Sequence, residues 1–281
     1  MDDTRPAACG LAFTWCRANA KPQAVKSGIH HVRPWSNLAS LGRHLVSGIT
    51  QLIYPNTCWT CGTIMRPEEK HVCSICLPKL TIDPFPTCPR CSSTVGPHLT
   101  LTDGCPACQA ESFAFDGAFR MAAYDGLLRD VILRMKQWTG EDVAEIVGAL
   151  WAKHMASRLA PLHPDGVIPV PLHWQRQWRR GFNSCDLLAH ALAKELRIPC
   201  WSRALRRLRA TAQQTQQPSG AARKENVKHA FQTRAGYSLE GKTVLLVDDV
   251  LTTGATASEA ARALSVSRPK AIYVVVLAHG R

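Results

Sequence analysis

The stretch 245–256, LLVDDVLTTGAT, sets two adjacent aspartates between an apolar run and a turn rich in threonine. Asp248 and Asp249 repel each other unless a partner lies against them. Such a pair can accept hydrogen bonds from a sugar diol or hold Mg²⁺, directly or through water. The following turn offers backbone N–H groups, hydroxyls and a helix dipole to a phosphate, through Thr252, Thr253, Gly254, Ala255 and Thr256. The non-functional alternative is a strand–turn–helix corner capped by threonines.

A second chemically unusual segment is VPLHWQRQWRRGFN, residues 170–183. Between a predicted strand and a predicted helix it carries Arg176, Arg180 and Gly181, which we expect to form a loop that meets a second anionic group such as a pyrophosphate. From 173 to 209 the chain has eight Arg and one Lys against two acidic residues, a charge of 9 − 2 = +7. A solvated basic face would explain this charge without any ligand, whereas a polyanion partner would make use of it.

One ligand contains every group that these two segments could recognise. It has a ribose with a 5-phosphate, free 2- and 3-hydroxyls and a magnesium-bound pyrophosphate, which describes phosphoribosyl pyrophosphate. The sequence therefore predicts a site for magnesium and this sugar phosphate. Nucleic acid is the other candidate, because Trp174, Trp178 and Trp201 would allow bases to stack, although core packing is the commoner role of tryptophan.

Eight of the 12 cysteines form four Cys-x-x-Cys pairs separated by 11, 11 and 13 residues: Cys58, Cys61, Cys73, Cys76, Cys88, Cys91, Cys105 and Cys108. The two-residue gap lets both sulfurs of a tight turn face one ion, and four thiolates complete a tetrahedral zinc site. We therefore expect about two structural zinc ions in two ribbons. Redox pairs, an iron–sulfur cluster and disulfides are weaker alternatives. Sequential and interleaved pairing of the cysteines both remain open.

These ribbons have too few large apolar side chains to fold alone, so the metal would supply folding energy. A structural role is the simpler interpretation, and direct contact with nucleic acid is the alternative. Gly62, directly after Cys61, permits the left-handed turn that often closes such a knuckle.

The 281 residues contain no apolar run of the roughly 20 residues that a membrane span needs, and the first residues lack a secretory signal. We expect a cytoplasmic protein without a transmembrane segment. Residues 1–36 show no periodicity and predict a disordered leader. Residues 37–54 predict an amphipathic helix that packs on the first ribbon, or alternatively lies on a membrane surface. The double ribbon is expected at 55–112.

Residues 113–281 alternate apolar strands with helical patterns, which predicts an α/β domain with a parallel sheet covered on both faces. In such sheets, ligands bind at the carboxyl ends of the strands. The segment 206–231 is long, polar and rich in Gln. Loops of this kind in a compact domain are usually functional or disordered.

Through VLLVDDVLTTGAT the chain resembles the type I phosphoribosyltransferases. More narrowly it resembles the ComF family, whose members are also described as GntX-like or amidophosphoribosyltransferase-like proteins. The resemblance covers about residue 53 to the C-terminus: the Cys-x-x-Cys ribbons, YDGLLRDVILRMK, PVPLHWQRQWRRGFN, TAQQT, RKENVKHAF and VLLVDDVLTTGAT follow in that order. The chain departs from the family pattern at Ser184, where Gln is usual, and after TAQQT, where an apolar residue is usual.

The resemblance implies that Asp248 and Asp249 are catalytic and address the ribose hydroxyls and magnesium. It also implies that Thr252 to Thr256 hold the 5-phosphate, that the loop through Arg180 forms the pyrophosphate side, and that 206–231 is a mobile segment closing over the site. The expected activity is phosphoribosyl transfer to an unknown acceptor, linked to competence and DNA uptake. The alternative is a non-catalytic protein that binds single-stranded DNA, with the sugar phosphate site as a sensor or phosphate clamp. Other competence proteins are candidate partners.

Overall fold

A computed structural model describes residues 56–97, 101, 104–209 and 225–280, all within one compact unit, Tyr54–Arg281. The predictions of a leader at 1–36 and a helix at 37–54 lie outside the described residues. Among the helices of the described ranges, none is long and apolar enough to cross a membrane.

The two cysteine ribbons are built on the same knuckle, repeated thirty residues apart. In the first, the N–H of Cys58 donates to the Thr63 carbonyl at 2.7 Å, and in the second Cys88 donates to Ser93 at 2.9 Å. An isolated antiparallel bridge accompanies each knuckle, Thr57 with Ile64 and Thr87 with Thr94. Helix α1 (Cys76–Thr81) begins at the last cysteine of the first ribbon.

In each knuckle the residue after the second cysteine has a left-handed backbone conformation, but the residue type at this position differs between the two knuckles. Gly62 has φ 73° and Ser92 has φ 62°, and only Gly adopts this conformation without strain. Ser92 is fully buried, and its Oγ has no hydrogen-bond partner among the described residues. The second knuckle therefore carries both backbone strain and a buried unpaired hydroxyl.

We predict that Ser92→Gly stabilises the zinc-loaded protein by about 1 kcal/mol, because it removes both penalties. The reciprocal change Gly62→Ala should destabilise by about 1 kcal/mol, since it introduces strain at an exposed turn with open space around it. Urea denaturation of the two variants beside wild type measures both effects. A less stable Ser92→Gly variant would show that the hydroxyl makes a stabilising contact.

Four parallel strands form the main sheet, in the order β1-β6-β5-β2. Alternate residues of the central strands enter two different hydrophobic clusters: Leu245 and Val247 lie on one face of β5, and Val244 and Leu246 on the other. The predicted parallel sheet covered on both faces is thereby confirmed. The strands are β1 (Gly117–Ala123), β2 (Gly166–Pro169), β5 (Thr243–Leu251) and β6 (Ala271–His279).

Helices cover both faces of this sheet. One face packs against α2 (Gly126–Met135), α3 (Glu141–Leu159) and α5 (Ser184–Leu196), and the other packs against α6 (Ala255–Ser265). A 3-10 turn, Ala160–Leu162, extends α3. Asn183 caps α5, with its Oδ1 accepting from the N–H of Cys185 at 3.2 Å. The apolar periodicity of the sequence predicted these helices because their buried residues recur at helical spacing.

A small antiparallel pair, β3 (Leu205–Arg207) and β4 (Phe231–Thr233), frames the segment expected to be mobile. The first and last residues of 206–231 thus lie in paired strands. Residues 210–224 lie outside the described residues, so mobility and closure stay predictions.

A buried arginine joins the ribbons to the sheet. Arg120 on β1 is 1% exposed, and its guanidinium donates to Asp83 at 2.7 Å and to Thr94 at 2.8 Å. Asp83 lies between the two ribbons and Thr94 lies in the second. This paired charge fixes the second ribbon against the first strand, because a buried guanidinium that loses its partners is strongly destabilising.

Candidate functional site

The acidic pair lies inside strand β5, which continues for two residues beyond Asp249. The strand continues through Asp248 and Asp249 to Leu251, and Asp248 is in register with Val276 of β6. The Asp248 Oδ1 accepts from the N–H of Asp249 at 2.9 Å and from the Cys185 thiol at 3.5 Å. Burial, together with the charge of Asp249, raises the pKa of Asp248 to about 7. Ionising both carboxyls is therefore unfavourable in the folded protein, and a cation or a hydroxyl donor beside them would reduce this cost.

Lys136 supplies a cation beside this pair, a residue that the motifs of the sequence did not single out. Its Nζ lies 2.9 Å from the Asp249 Oδ2. Burial opposes the charged ammonium, but the carboxylates of Asp249 and Asp248 outweigh it and raise the pKa of Lys136. Its position in the sequence could have indicated this role. Lys136 directly follows the buried Met135 at the end of α2, and a charged side chain that is buried there needs a partner of opposite charge.

Cys185, which belongs to none of the Cys-x-x-Cys pairs, is buried in the first turn of α5. It also reaches the site: its sulfur and one oxygen of each aspartate all lie within 4.8 Å of one another. Burial and the two carboxylates raise the pKa of Cys185 well above its ordinary value, which keeps it a neutral thiol donor. Carboxylate oxygens suit Mg²⁺, whereas a neutral thiol is a poor ligand for it.

The phosphate turn, Thr252–Thr256, has the geometry of an anion site. Gly254 has φ 74° and immediately precedes α6. A Cβ at Gly254 would lie 2.8 Å from the ring of Phe113, so both the backbone angle and the space require glycine. The Oγ1 of Thr253 is buried and has no hydrogen-bond partner among the described residues. The turn thus combines a helix N-terminus with a buried hydroxyl that no side chain or backbone group of the described ranges satisfies.

The basic segment after β2 forms a short helix, α4 (Trp174–Arg180), and the prediction of a loop there is wrong. Gly181 ends this helix with φ 87°. Arg176 and Arg180 are close enough for the charge of Arg180, after burial, to lower the pKa of Arg176.

Arg207, on β3, joins Arg176 and Arg180 in what we call the arginine cluster. Burial and the positive charge of Arg176 lower the pKa of Arg207 to about 10, although Asp248 opposes this shift. Arg207 is therefore close enough to both Arg176 and Asp248 for their charges to act on it. In the sequence Arg207 stands at the start of the segment 206–231, and only the fold brings it, on β3, next to Arg176 of α4. A cluster of cations beside a pair of anions is suited to a ligand with both a phosphate chain and hydroxyls.

The eight cysteines form two groups in sequential order: Cys58, Cys61, Cys73 and Cys76, and then Cys88, Cys91, Cys105 and Cys108. Tetrahedral zinc with sulfur ligands at about 2.3 Å requires sulfur–sulfur distances of about 3.8 Å. The distances are 3.8 Å for Cys61–Cys73, 3.8 Å for Cys88–Cys108 and 3.6 Å for Cys91–Cys105. A disulfide would need about 2.05 Å. Both groups therefore fit a tetrahedral metal ion and do not fit disulfides.

Electrostatics also favours an ion in each group. In the first group, burial and the neighbouring sulfurs raise the pKa of Cys76, whereas backbone N–H groups lower the pKa of Cys58 despite its burial, so ionising all four sulfurs together is unfavourable unless a cation balances their charge. A divalent ion would reverse this shift by binding the thiolates directly.

The three tryptophans considered for stacking separate into two kinds. Trp174 is 66% exposed and Trp178 is 85% exposed, and they lie one turn apart on α4. Trp201 instead packs directly against the backbone of Gly166, so closely that a Cβ at Gly166 would collide with its ring. The Nζ of Lys242 lies 5.5 Å from the centroid of the same ring. Only the two residues on α4 present exposed rings.

The parallel sheet with a phosphate turn at its carboxyl edge, preceded by two four-cysteine groups, defines a phosphoribosyltransferase-type α/β protein with cysteine ribbons. Residues 183–281 match the model of the phosphoribosyl transferase domain. The DNA utilization protein YhgH of Escherichia coli K12 is 32% identical over 227 residues, covering 79% of this chain and 96% of that protein. The chain belongs to the ComF family, which the sequence resemblance had indicated.

Two further relatives agree with this assignment. Competence protein F of Haemophilus influenzae is 31% identical, covering 74% of this chain and 90% of that protein. Competence protein ComFC of Bacillus subtilis is 29% identical, with coverage of 73% and 82%. Among solved structures, the glutamine phosphoribosylpyrophosphate amidotransferase of B. subtilis aligns with 52% of this chain and 30% of that one, at 21% identity and a TM-score of 0.35. That structural similarity is too weak to support an argument about function.

Proposed function

We propose that the protein binds phosphoribosyl pyrophosphate with magnesium at the carboxyl edge of β5 and transfers its phosphoribosyl group to an acceptor. The observation that supports this is the convergence of three groups on one strand end: the acidic pair, the phosphate turn and the arginine cluster. No single one of them requires this ligand, but together they match its diol, its 5-phosphate and its pyrophosphate.

In this proposal each group has a separate task. The phosphate turn binds the 5-phosphate through backbone N–H groups and the Thr253 hydroxyl, which has no hydrogen-bond partner in the part of the chain that the structure describes. Asp248 and Asp249 accept hydrogen bonds from the ribose hydroxyls. The arginine cluster binds the pyrophosphate as a charge-assisted site. Magnesium, held beside the aspartates, would neutralise charge on the pyrophosphate as it leaves.

The transfer step breaks the bond between ribose C1 and the pyrophosphate oxygen, and the pyrophosphate departs with the electron pair. A lone pair on the acceptor nitrogen forms the new bond to C1, and the nitrogen releases its proton to solvent. The positive charge that develops on the sugar ring is close to Asp248 and Asp249, which stabilise it electrostatically. The segment 206–231, by closing over the site, would exclude water from this reactive cation.

Calorimetric titration with phosphoribosyl pyrophosphate, with and without Mg²⁺, tests the binding proposal. We expect binding that requires Mg²⁺ and that weakens about tenfold or more in Arg176→Gln, because a partly buried guanidinium contacts the pyrophosphate. Arg179→Gln is the matched control: Arg179 lies on the same helix but is exposed, and its loss should change affinity less than about twofold. Equal affinities of both variants would contradict the assignment of the arginine cluster.

We further propose that each cysteine group holds one structural zinc ion. The sulfur–sulfur distances and the sequential grouping support this assignment. Zinc would provide the folding energy that the short ribbons lack.

A second candidate function is the binding of single-stranded nucleic acid by the exposed face of α4. Trp174 and Trp178 are exposed one turn apart, and Arg179 adds an exposed positive charge beside them. Stacking of bases on aromatic rings beside cations is the usual way in which proteins bind single strands. The names of the relatives, which refer to DNA utilization and competence, support this proposal.

The affinity for a single-stranded oligonucleotide, measured against salt concentration, separates the two contributions. Trp174→Ala with Trp178→Ala should weaken binding by about 1–3 kcal/mol per stacked base and leave the salt slope unchanged. Arg179→Gln should instead reduce the slope by about 1. Trp138→Ala is the control, since Trp138 is 79% exposed but lies outside α4. If the double variant and the control bind equally well, α4 is not the stacking surface.

A further inference from the structure

Lys136 approaches the acidic pair from the end of α2. Its Nζ lies 2.9 Å from the Asp249 Oδ2. The base of the side chain is fixed, because the N–H of Lys136 donates to the Ile132 carbonyl at 3.2 Å and the preceding residue, Met135, is fully buried. The fold itself therefore places this ammonium beside the pair.

The ion pair engages a carboxylate that the proposed magnesium site also needs. Asp248, Asp249 and Cys185 each place one possible ligand atom within 4.8 Å of the other two, and the carboxylate oxygens are the ones that Mg²⁺ prefers. Lys136 already supplies positive charge to one of these carboxylates. A divalent ion beside the same carboxylate would be repelled by the ammonium at close range, and this repulsion is stronger inside a protein than in water.

The same ion pair is open enough to be exchanged. The side chain of Lys136 is 31% exposed and that of Asp249 is 17% exposed, so water reaches the contact. Lysine has a flexible stem of four carbons, and its ammonium makes hydrogen bonds without a fixed geometry. The ammonium can therefore turn toward water while α2 stays in place.

Free magnesium and magnesium bound to a phosphate chain differ in how they compete with this lysine. A free divalent ion adds two positive charges beside Lys136 and near Arg207, whose charge also acts on Asp248. The proposed ligand brings a 5-phosphate and a pyrophosphate, and their negative charges offset the added cation. Binding of the ligand and binding of the metal should therefore favour each other, and this coupling is reciprocal.

We propose that Lys136 is a positioning residue that fills the cation position beside Asp249 in the ligand-free protein and so prevents magnesium from binding there without the sugar phosphate. The inference rests on the proposed function and adds the regulation of the same site: metal and ligand enter together, and Lys136 yields the carboxylate to them. A purely structural lysine, which only neutralises a largely buried carboxylate, would not control the binding of the metal.

Mn²⁺ is the probe in the test, because it can be counted by electron paramagnetic resonance and prefers the same oxygen ligands as Mg²⁺. The full-length zinc-loaded protein is titrated with Mn²⁺ in the absence of phosphoribosyl pyrophosphate. Lys136→Gln should bind Mn²⁺ about tenfold or more tighter than wild type, because the competing charge is gone. Urea denaturation confirms that each variant is folded under the conditions of the titration.

Three further variants separate the proposed role from a general effect of charge. Lys136→Arg keeps the charge and should bind Mn²⁺ as weakly as wild type does. Lys153→Gln removes a positive charge from an exposed position of α3 and should also match wild type. Lys136→Gln combined with Asp249→Asn should lose the added affinity, since the carboxylate that Lys136 had covered is no longer there.

Several results would overturn the role of Lys136. They are an unchanged Mn²⁺ affinity in Lys136→Gln, an equal gain in Lys153→Gln, a gain that persists when Asp249 is also replaced, and a gain in Lys136→Arg. Asp249→Asn alone gives a test that does not depend on the folding of any Lys136 variant: if it weakens Mn²⁺ binding to the ligand-free protein, Lys136 does not cover that carboxylate.

The calorimetric titration with phosphoribosyl pyrophosphate keeps the two proposals apart. If wild type fails to bind this ligand with Mg²⁺, the proposed function is refuted, whatever the Mn²⁺ titrations show. If wild type binds the ligand but Lys136→Gln gains no affinity for Mn²⁺, only the role of Lys136 is refuted.

Discussion

Asp248→Asn is expected to abolish magnesium-dependent binding of phosphoribosyl pyrophosphate and, at the same time, to stabilise the fold. The carboxyl of Asp248 has its pKa raised to about 7 by burial and by Asp249, so its ionised form is held at a cost in the folded protein. An amide of the same shape removes that cost. We expect the free energy of unfolding at pH 8 to increase by about 1–3 kcal/mol, measured by urea denaturation.

Asp249→Asn provides the contrasting variant. It should also abolish ligand binding, but it should destabilise the fold by about 1–3 kcal/mol, because Lys136 loses the carboxylate 2.9 Å away. Lys136 is only about one third exposed, so water compensates incompletely. If both variants keep wild-type affinity for the ligand, the assignment of the acidic pair is wrong.

The pH dependence of stability has a definite sign. In the folded protein Asp248 binds a proton up to about pH 7, whereas in the unfolded chain it loses the proton near pH 4. Between these values the folded state holds more protons, so this residue makes stability fall as pH rises from about 4 to about 7. Asp248→Asn should remove this component of the pH profile. Ligand binding should strengthen over the same range, since the ribose and magnesium favour the ionised form.

The second large effect is expected from the zinc ligands. Cys91→Ser should remove one zinc per chain and destabilise the protein by several kcal/mol, because all four sulfurs of the second group are buried. That group also supports Ser93 and Thr94, which contact His279 and Arg120 on the sheet. Zinc content by mass spectrometry and denaturation by urea measure the two consequences.

Cys61→Ser is the comparison within the first group. Cys61 is exposed while its three partners are buried, so a serine there is better solvated and the loss of stability should be smaller. Both variants should retain one zinc per chain, in the group that is unchanged. A variant that loses both zinc ions would contradict two independent sites.

Helix α4 connects the two candidate functions. Arg176 and Arg180 are partly buried and belong to the arginine cluster, whereas Trp174, Trp178 and Arg179 are exposed. Substitutions on the exposed face therefore test nucleic-acid binding without altering the sugar phosphate site. This separation allows the enzymatic and the nucleic-acid hypotheses to be judged independently.

Much of this architecture follows from local signals in the sequence. The run at 244–247 is apolar at every position up to the aspartates, which specifies a strand buried on both faces, and α6 follows from GATASEAARAL. The Cys-x-x-Cys spacing specifies two four-sulfur sites because it depends only on short stretches of backbone. Gly254 was predictable for the same reason, since its turn is local.

Other features depend on which distant segments meet, and the linear sequence does not contain that information. Sequential and interleaved cysteine pairings have identical spacing, and only the folded knuckles group the sulfurs in sequence order. Lys136 and Cys185 reach the acidic pair because α2 and α5 pack on the same face of the sheet, and Arg207 reaches it through β3. The second ribbon reaches the sheet through contacts between residues far apart in sequence, Arg120 with Thr94 and His279 with Ser93. Residue types and local spacing thus determined the chemistry that this chain carries, whereas packing between distant elements decided which side chains share a site.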